Sequence, residues 1–282
     1  GIGAGARPEV IRAVAIAAEE AGFATLWSGE HVVMVDEPES RYPYTADGTI
    51  AVPPDADWLD PLLGLTFAAA VTSRIGLATG VLLLPEHNPV PLAKRAATLD
   101  VLSAGRFTLG VGIGWSAEEF AALGIPFARR GPRAAEYVAA MRELWSKDVA
   151  SFTGEFTQFQ GVRVNPKPVR ARRLPIVVGG NSDPALKRAA AFGDGWYGFN
   201  VPADAVPGRI GALAGYCREH GRDLSELTVA VAVSDGHPGM LPDLAAAGVT
   251  ELVVVATPSG DPAAAPGWVA GLAGHWGIPP RP

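Results

Sequence analysis

The sequence predicts a single α/β domain over residues 1–282, a (β/α)8 barrel with insertion loops, and three observations carry that expectation. Short apolar runs alternate with helix-period segments almost to the end of the chain, and strands joined by helical crossovers form a parallel sheet. The run Arg74–Leu84 is apolar nearly throughout, as expected of a strand covered on both faces. Three strand ends then open into glycine-rich or polar loops: Ser28-Gly29-Glu30-His31, Leu109-Gly110-Val111-Gly112-Ile113-Gly114-Trp115, and Val178-Gly179-Gly180-Asn181-Ser182. Glycine at such places lets a flat, electron-rich group approach the backbone more closely than a Cβ permits. In a barrel these loops gather at the C-terminal mouth, where the cofactor and substrate sit. A doubly wound open sheet is the rival architecture.

The elements follow in order. Pro8–Ala21 has helical apolar spacing, with Pro8 suited to the first turn and Gly22 to the C-terminal cap. Thr25–Ser28 reads as a short buried strand, Pro61–Val71 as a helix and Arg74–Leu84 as a strand. Leu92–Leu102 is a helix, Phe107–Gly112 a strand, and Ser116–Leu123 and Arg133–Trp145 are helices. Phe152–Val164 reads as a hairpin turning at Gly154 and Gly161, an excursion from the alternation. Leu174–Val178, Gly195–Tyr197, Leu227–Val233 and Glu251–Val255 are further strands, with helices near Pro184–Ala191, Val206–His220, Leu241–Ala247 and Pro266–Trp276. Seven strands are readable. Gly1 lies directly ahead of a helix, so an eighth strand is expected to have been clipped from the start. The segment Val32–Trp58, rich in Pro, Asp, Tyr and Gly, follows a strand end and is expected to form a lid over the mouth.

Composition narrows the function classes. A chain of 282 residues that is 48% hydrophobic can bury a full core. A net charge of −6 with no run of basic residues argues against nucleic acid and anionic membranes as partners. One cysteine, Cys217, excludes a disulfide framework and a cysteine-based metal site, and fits a reducing cytoplasm. No apolar run approaches the ~20 residues of a membrane span, and no signal peptide is recognisable. The five histidines have no metal-binding spacing, and neither a G-x-S-x-G elbow nor a Walker phosphate loop is present. Gly110–Gly114 also fails the G-x-G-x-x-G pattern, because position 115 is Trp115.

Several segments resemble one family. Ala18-Glu19-Glu20-Ala21-Gly22-Phe23 leading to Leu26-Trp27 and Glu30-His31 is similar to the opening of the bacterial luciferase-like monooxygenase superfamily. The similarity continues through Ala70–Val81, Ala93–Phe107, Gly112-Ile113-Gly114-Trp115 with Glu118-Glu119-Phe120, and Gly193-Asp194-Gly195-Trp196. Within the superfamily it is most similar to oxidoreductases that use the deazaflavin F420. The resemblance implies a (β/α)8 barrel, a homodimer, and a flavin or deazaflavin at the mouth.

The resemblance also assigns roles. His31 matches a catalytic acid or base of the F420-dependent sugar-phosphate dehydrogenases, and a group titrating near neutrality suits proton transfer beside a hydride centre; a solvated loop histidine is the plainer reading. The residue before it is usually an Asp touching the deazaflavin; here it is Glu30, one methylene longer. Thr79-Gly80-Val81 matches a strand bulge with a non-proline cis peptide behind the cofactor ring, although by itself it reads as ordinary buried strand. Trp115 stands where those dehydrogenases place a catalytic glutamate, which argues for a different substrate and offers a stacking surface beside Gly112, Ile113 and Gly114. Glu118 and Glu119 form an acidic first helical turn, and Glu118 is taken into the cofactor site. Gly179, Gly180, Asn181 and Ser182 form the expected phosphate cradle at a helix N-terminus. Ser182 or Asp183 is its N-cap, with Pro184 at the first helical position; if Asp183 is the cap, its carboxylate is expected to point away from the anion. Cys217 reads as structural.

The expected activity is hydride transfer between F420 and a small organic substrate. Two alternatives stand beside it: an FMN-dependent monooxygenase supplied by a separate reductase, and a non-catalytic flavin- or deazaflavin-binding protein.

Overall fold

The computed structural model describes residue 5, residues 7–258 and residues 260–279. Within them the alternation holds: α1 (Pro8–Glu20), β1 (Thr25–Ser28), α2 (Pro61–Ala69), β2 (Gly76–Thr79), β3 (Leu82–Leu83), α3 (Pro89–Leu102), β4 (Phe107–Gly112), α4 (Ala117–Ala122) and α5 (Arg130–Ser146). The hairpin β5 (Ala150–Thr153) and β6 (Gln158–Val162) interrupts it. Then follow β7 (Ile176–Gly179), α6 (Asp183–Phe192), β8 (Gly195–Val201), α7 (Val206–Glu219), β9 (Thr228–Val233), α8 (Leu241–Ala247), β10 (Glu251–Leu252) and α9 (Ala265–Trp276).

The main sheet is parallel throughout and runs β1-β2-β4-β7-β8-β9-β10, with β3 carrying the β2 position onward along β4. It curls as a luciferase-like barrel does, with helices outside and Leu77, Leu109, Ile176, Trp196 and Val229 in the buried layer between. Among the described residues β10 and β1 do not pair by backbone. Their edges are brought together by side chains instead: Trp27 Nε1 donates to Glu251 Oε1 at 2.9 Å, and α1 packs on α9. The strand expected ahead of Pro8 lies outside the described residues. No helix among them is long and apolar enough to cross a membrane.

Local differences from the sequence expectation have identifiable causes. The apolar run Arg74–Leu84 is two strands rather than one, β2 and β3, with the cis Gly80–Val81 peptide between them. Gly161 sits inside β6 rather than at a turn; the hairpin turns over residues 154–157, where Glu136 accepts hydrogen bonds from the N–H groups of Glu155, Phe156 and Thr157. Ser182 is the N-cap position of α6, so Asp183 rather than Pro184 is the first helical residue.

At the cis peptide the Val81 side chain turns toward the mouth. A Cβ on Gly112 would lie 2.6 Å from Val81 Cγ2, and one on Gly179 would lie 2.6 Å from Val81 Cγ1. A Cβ on Gly110 would fall on the Thr79 carbonyl. The glycines of β4 and β7 therefore serve the packing of a neighbouring strand. That replaces the expectation that they leave room for a ligand. Gly179→Ala should destabilise the protein by about 1–3 kcal/mol through overpacking, read as a lower midpoint in thermal or urea unfolding. Adding Val81→Ala should recover part of the loss. Full stability of the single variant would contradict this packing.

Candidate active site

The strand ends place the expected residues at one end of the sheet, where the loops after β1, β3, β4, β7 and β8 converge. His31 follows β1 directly. Its Nδ1 lies 2.9 Å from Glu119 Oε2, and Glu119 Oε1 accepts the N–H groups of Val32 at 2.7 Å and Val33 at 3.3 Å. Glu119 is held on α4, whose N-cap Ser116 accepts the Glu119 N–H. A carboxylate only accepts, so Nδ1 carries the proton of that bond and Nε2 is left for another partner. The imidazole packs edge-on against Trp58 and Trp115, with ring centres 5.1 and 5.8 Å away.

Glu30 is turned inward. Its Oε2 accepts the Leu83 N–H at 2.6 Å and faces His87 Nε2 at 3.0 Å, so the carboxylate fastens β3 and a second histidine. Arg95 of α3 reaches the other ring nitrogen of His87 at 3.3 Å. Between the two carboxylate–histidine pairs sits Glu86, 7% exposed, with neither oxygen hydrogen-bonded. Burial, together with the carboxylates of Glu119 and Glu30, pushes its pKa up to about 9, so it is a neutral acid at neutral pH.

The segment Val32–Trp58 covers the mouth as expected of a lid, and Glu118 ties it down. One Glu118 oxygen accepts the N–H groups of Glu39 at 2.8 Å and Ser40 at 2.9 Å. Hydrogen bonds from the Ser40 side chain and from backbone N–H groups lower its pKa to about 2. Tyr42 packs edge-on against Trp115 at 5.3 Å, Tyr44 against Phe199 at 5.4 Å, and Trp58 donates to the Gly29 carbonyl at 3.1 Å. Burial and the neighbouring Tyr44 push the Tyr42 hydroxyl up to about 12. Deeper in, Tyr197 stacks on Trp27 at 4.9 Å beside Gly80, and burial raises its pKa further. Thr79 is wholly buried, and its hydroxyl donates to the Gly110 carbonyl.

At the end of β7, Gly180 has φ +115°, a conformation open to glycine. Asn181 uses its amide to bridge both backbone groups of Phe199. Ser182 is exposed and its hydroxyl does not cap the helix. Asp183 pairs with Arg209 at 2.9 Å. Two arginines that the sequence reading missed complete this region. Arg188 of α6 has a buried, unpartnered Nε, and it lies near Arg130 of α5 and the Tyr44 hydroxyl. Burial and the Arg130 charge both lower its pKa. Arg130 donates to the Gly114 carbonyl at 3.1 Å and stacks on Phe127. Neither guanidinium has a carboxylate partner among the described residues. An orphaned guanidinium beside a second one fits a phosphate. The same residues fit no metal: no group of three ligating side chains occurs among those described.

Glu86 and His87 were also missed, although two polar residues directly after an apolar strand were the available signal. Glu119 was noticed only as part of an acidic helical turn. The buried neutral acid makes a stability prediction. Between the ordinary carboxyl value of 4.5 and about 9, folded Glu86 keeps a proton that the unfolded chain releases, so its contribution to stability falls as pH rises through that window. Glu86→Gln does not titrate. Its melting temperature should therefore gain on the wild type steadily from about pH 5 to about pH 9. A difference independent of pH would show that Glu86 is ionised in the folded state.

Comparison with known proteins agrees with this geometry. The profile of the luciferase-like monooxygenase family matches residues 1–234. An uncharacterized protein of Mycobacterium tuberculosis is 38% identical over 243 residues, covering 86% of this chain and 85% of that one. An F420-dependent secondary alcohol dehydrogenase, solved with an F420–acetone adduct, superposes with a TM-score of 0.66 at 22% identity, over 81% of this chain and 66% of that one. A riboflavin lyase solved with modified FMN and riboflavin superposes with a TM-score of 0.68 at 20% identity, over 80% of this chain and 55% of that one. These two solved chains share the fold, and this chain spans less than two thirds of each. Solved proteins of this fold thus hold F420 or FMN, and the present chain, with its barrel and its histidine–carboxylate mouth, belongs to the luciferase-like monooxygenase family of oxidoreductases.

Proposed function

We propose that this protein is an F420-dependent oxidoreductase of the luciferase-like family, moving a hydride to or from a small organic substrate held beneath the Val32–Trp58 lid. The observation that carries the reading is the His31–Glu119 pair, an oriented acid–base group at the barrel mouth walled by Trp58 and Trp115. A bound 5-deazaflavin supplies the hydride chemistry and does not readily activate oxygen. Reducing a carbonyl, or oxidising an alcohol, needs a proton moved on the same side, and His31 Nε2 is the group left available for it. Glu119 holds the ring in one tautomer and orientation. Arg130, Arg188 and Ser182 would hold the phosphate, and Val81 would back the ring; the Gly180 N–H, expected in the cradle, instead donates to the Tyr197 carbonyl. Tyr42, Tyr44, Trp58 and Trp115 exclude water from the reacting atoms.

The same reading makes the protein a cytoplasmic homodimer. Its support is the apolar face where Leu59, Leu63 and Phe67 stand exposed beside α1, together with the single buried thiol of Cys217. A second reading, an FMN-dependent monooxygenase fed by a reductase, draws on the same two arginines, Arg130 and Arg188, which also suit the terminal phosphate dianion of FMN.

Fluorescence titration with F420 and with FMN separates the two. The proposal expects F420 to bind in the micromolar range and FMN not to; binding of FMN with oxygen consumption would replace it by the monooxygenase. His31→Ala should lower turnover by ~100-fold or more while leaving cofactor affinity within a few-fold. Arg188→Ala should do the reverse, weakening cofactor affinity by roughly 10–100-fold through loss of a charge-assisted hydrogen bond. Unchanged affinity in the Arg188 variant would remove it from the phosphate site.

A further inference from the structure

Glu86 is buried at the mouth, neither of its oxygens receives a hydrogen bond from a donor group, and the side chain within hydrogen-bonding reach of it is Glu119. It belongs to the 3-10 turn directly after β3, and one of its oxygens would lie 3.0 Å from a Cβ placed on Gly114, next to Phe120. That puts its carboxyl against the start of α4, where Glu119 faces it. Two acceptors cannot bond to one another. The hydrogen bond open to Glu86 is the one its own proton makes to the Glu119 carboxylate.

We propose that Glu86 is a positioning residue for His31, its carboxylic acid donating to Glu119 so that Glu86, Glu119 and His31 form one hydrogen-bonded line from the barrel wall to the mouth. The proposal rests on the reading of His31 as the proton-transfer group. Along the line, Glu119 Oε1 is held by the N–H groups of Val32 and Val33, and Oε2 meets His31. A donor at Glu86 shares the charge of that carboxylate and so sets how firmly Glu119 holds the imidazole N–H. When Glu86 loses its proton, no proton is left between the two facing carboxylates, Glu119 loses that donor, and the His31–Glu119 bond changes.

The charged and titratable groups around Glu86 are few. Glu119 approaches from α4, and Glu30 and His31 from the loop after β1. His87 is the next residue in the chain and is paired with Glu30, and Arg95 of α3 reaches His87 from the far side. Arg130 of α5 is engaged with the Gly114 carbonyl. The cations are thus taken up by other partners, and the two anions nearest Glu86 both favour its neutral form.

The test is NMR of cofactor-free protein carrying 13C-labelled histidine, with the His31 ring signal assigned by His31→Asn and followed from pH 6 to 10. In the wild type the His31 signal should show a separate inflection near pH 9, reporting the loss of the Glu86 proton. Glu86→Gln keeps a donor but cannot ionise, so the inflection should vanish while the folded spectrum is retained. Glu119→Gln should also remove it, because the line is cut with Glu86 still present. No alkaline inflection in the wild type, or one that persists in Glu86→Gln, overturns the proposal. The readout uses no cofactor, so failure of F420 to bind counts against the proposed function and leaves this result standing.

Discussion

The mouth of this barrel depends on one buried carboxylate. Glu119 is almost wholly enclosed, and on it converge the imidazole of His31 and the N–H groups of Val32 and Val33. Burying an ionised carboxylate is costly unless its lone pairs are satisfied. Here the groups that satisfy it are the catalytic candidate and the first two residues of the lid. Fixing Glu119 on a short helix therefore fixes the histidine and the departure of the lid together. Removing the carboxylate would leave the imidazole N–H and two backbone donors without partners at once.

The neighbouring carboxylates show how much charge such a site tolerates. Glu30 is held by a backbone N–H and by His87, and Glu118 lies outside the enclosed region, where the lid backbone and Ser40 engage it. Glu86 alone has no donor, and its acid is neutral because a third anion beside two others would go uncompensated. Proton chemistry is thus gathered on the β1–α4 side of the mouth. Beyond Gly114, whose carbonyl Arg130 holds, α5 and α6 contribute Arg130 and Arg188, where positive charge lacks a carboxylate among the described residues. A ligand with a reactive ring and an anionic tail matches that polarity.

The glycines connect fold and site differently from the way they read in one dimension. Gly112 and Gly179 look like room left for a flat ligand, yet Val81 packs into the space their missing side chains leave. The cis Gly80–Val81 peptide, expected from the family resemblance and not from composition or spacing, is present. Three adjacent strand ends are thereby locked to one side chain, and the surface facing the mouth is that valine. Gly180, expected in the phosphate cradle, forms the turn that opens β7 toward α6, and its N–H donates to the Tyr197 carbonyl.

The sequence by itself determined the parallel α/β architecture, because strands covered on both faces must be apolar throughout and the helices between them must carry an apolar stripe. It also determined where the site lies, since polar residues directly after such strands, His31 above all, stand at one end of the sheet. It placed the lid, whose irregular composition is incompatible with either periodicity. Only the tertiary structure decided which polar residues act together. Glu86 and His87 follow β3, while Glu119, Arg130 and Arg188 lie on three different helices, and nothing local distinguishes a helix-surface glutamate such as Glu118 from the buried one beside it. Glu119 faces inward and Glu118 outward because consecutive helical residues are turned about 100° apart, and which of them meets His31 is settled by how α4 packs on the loop after β1.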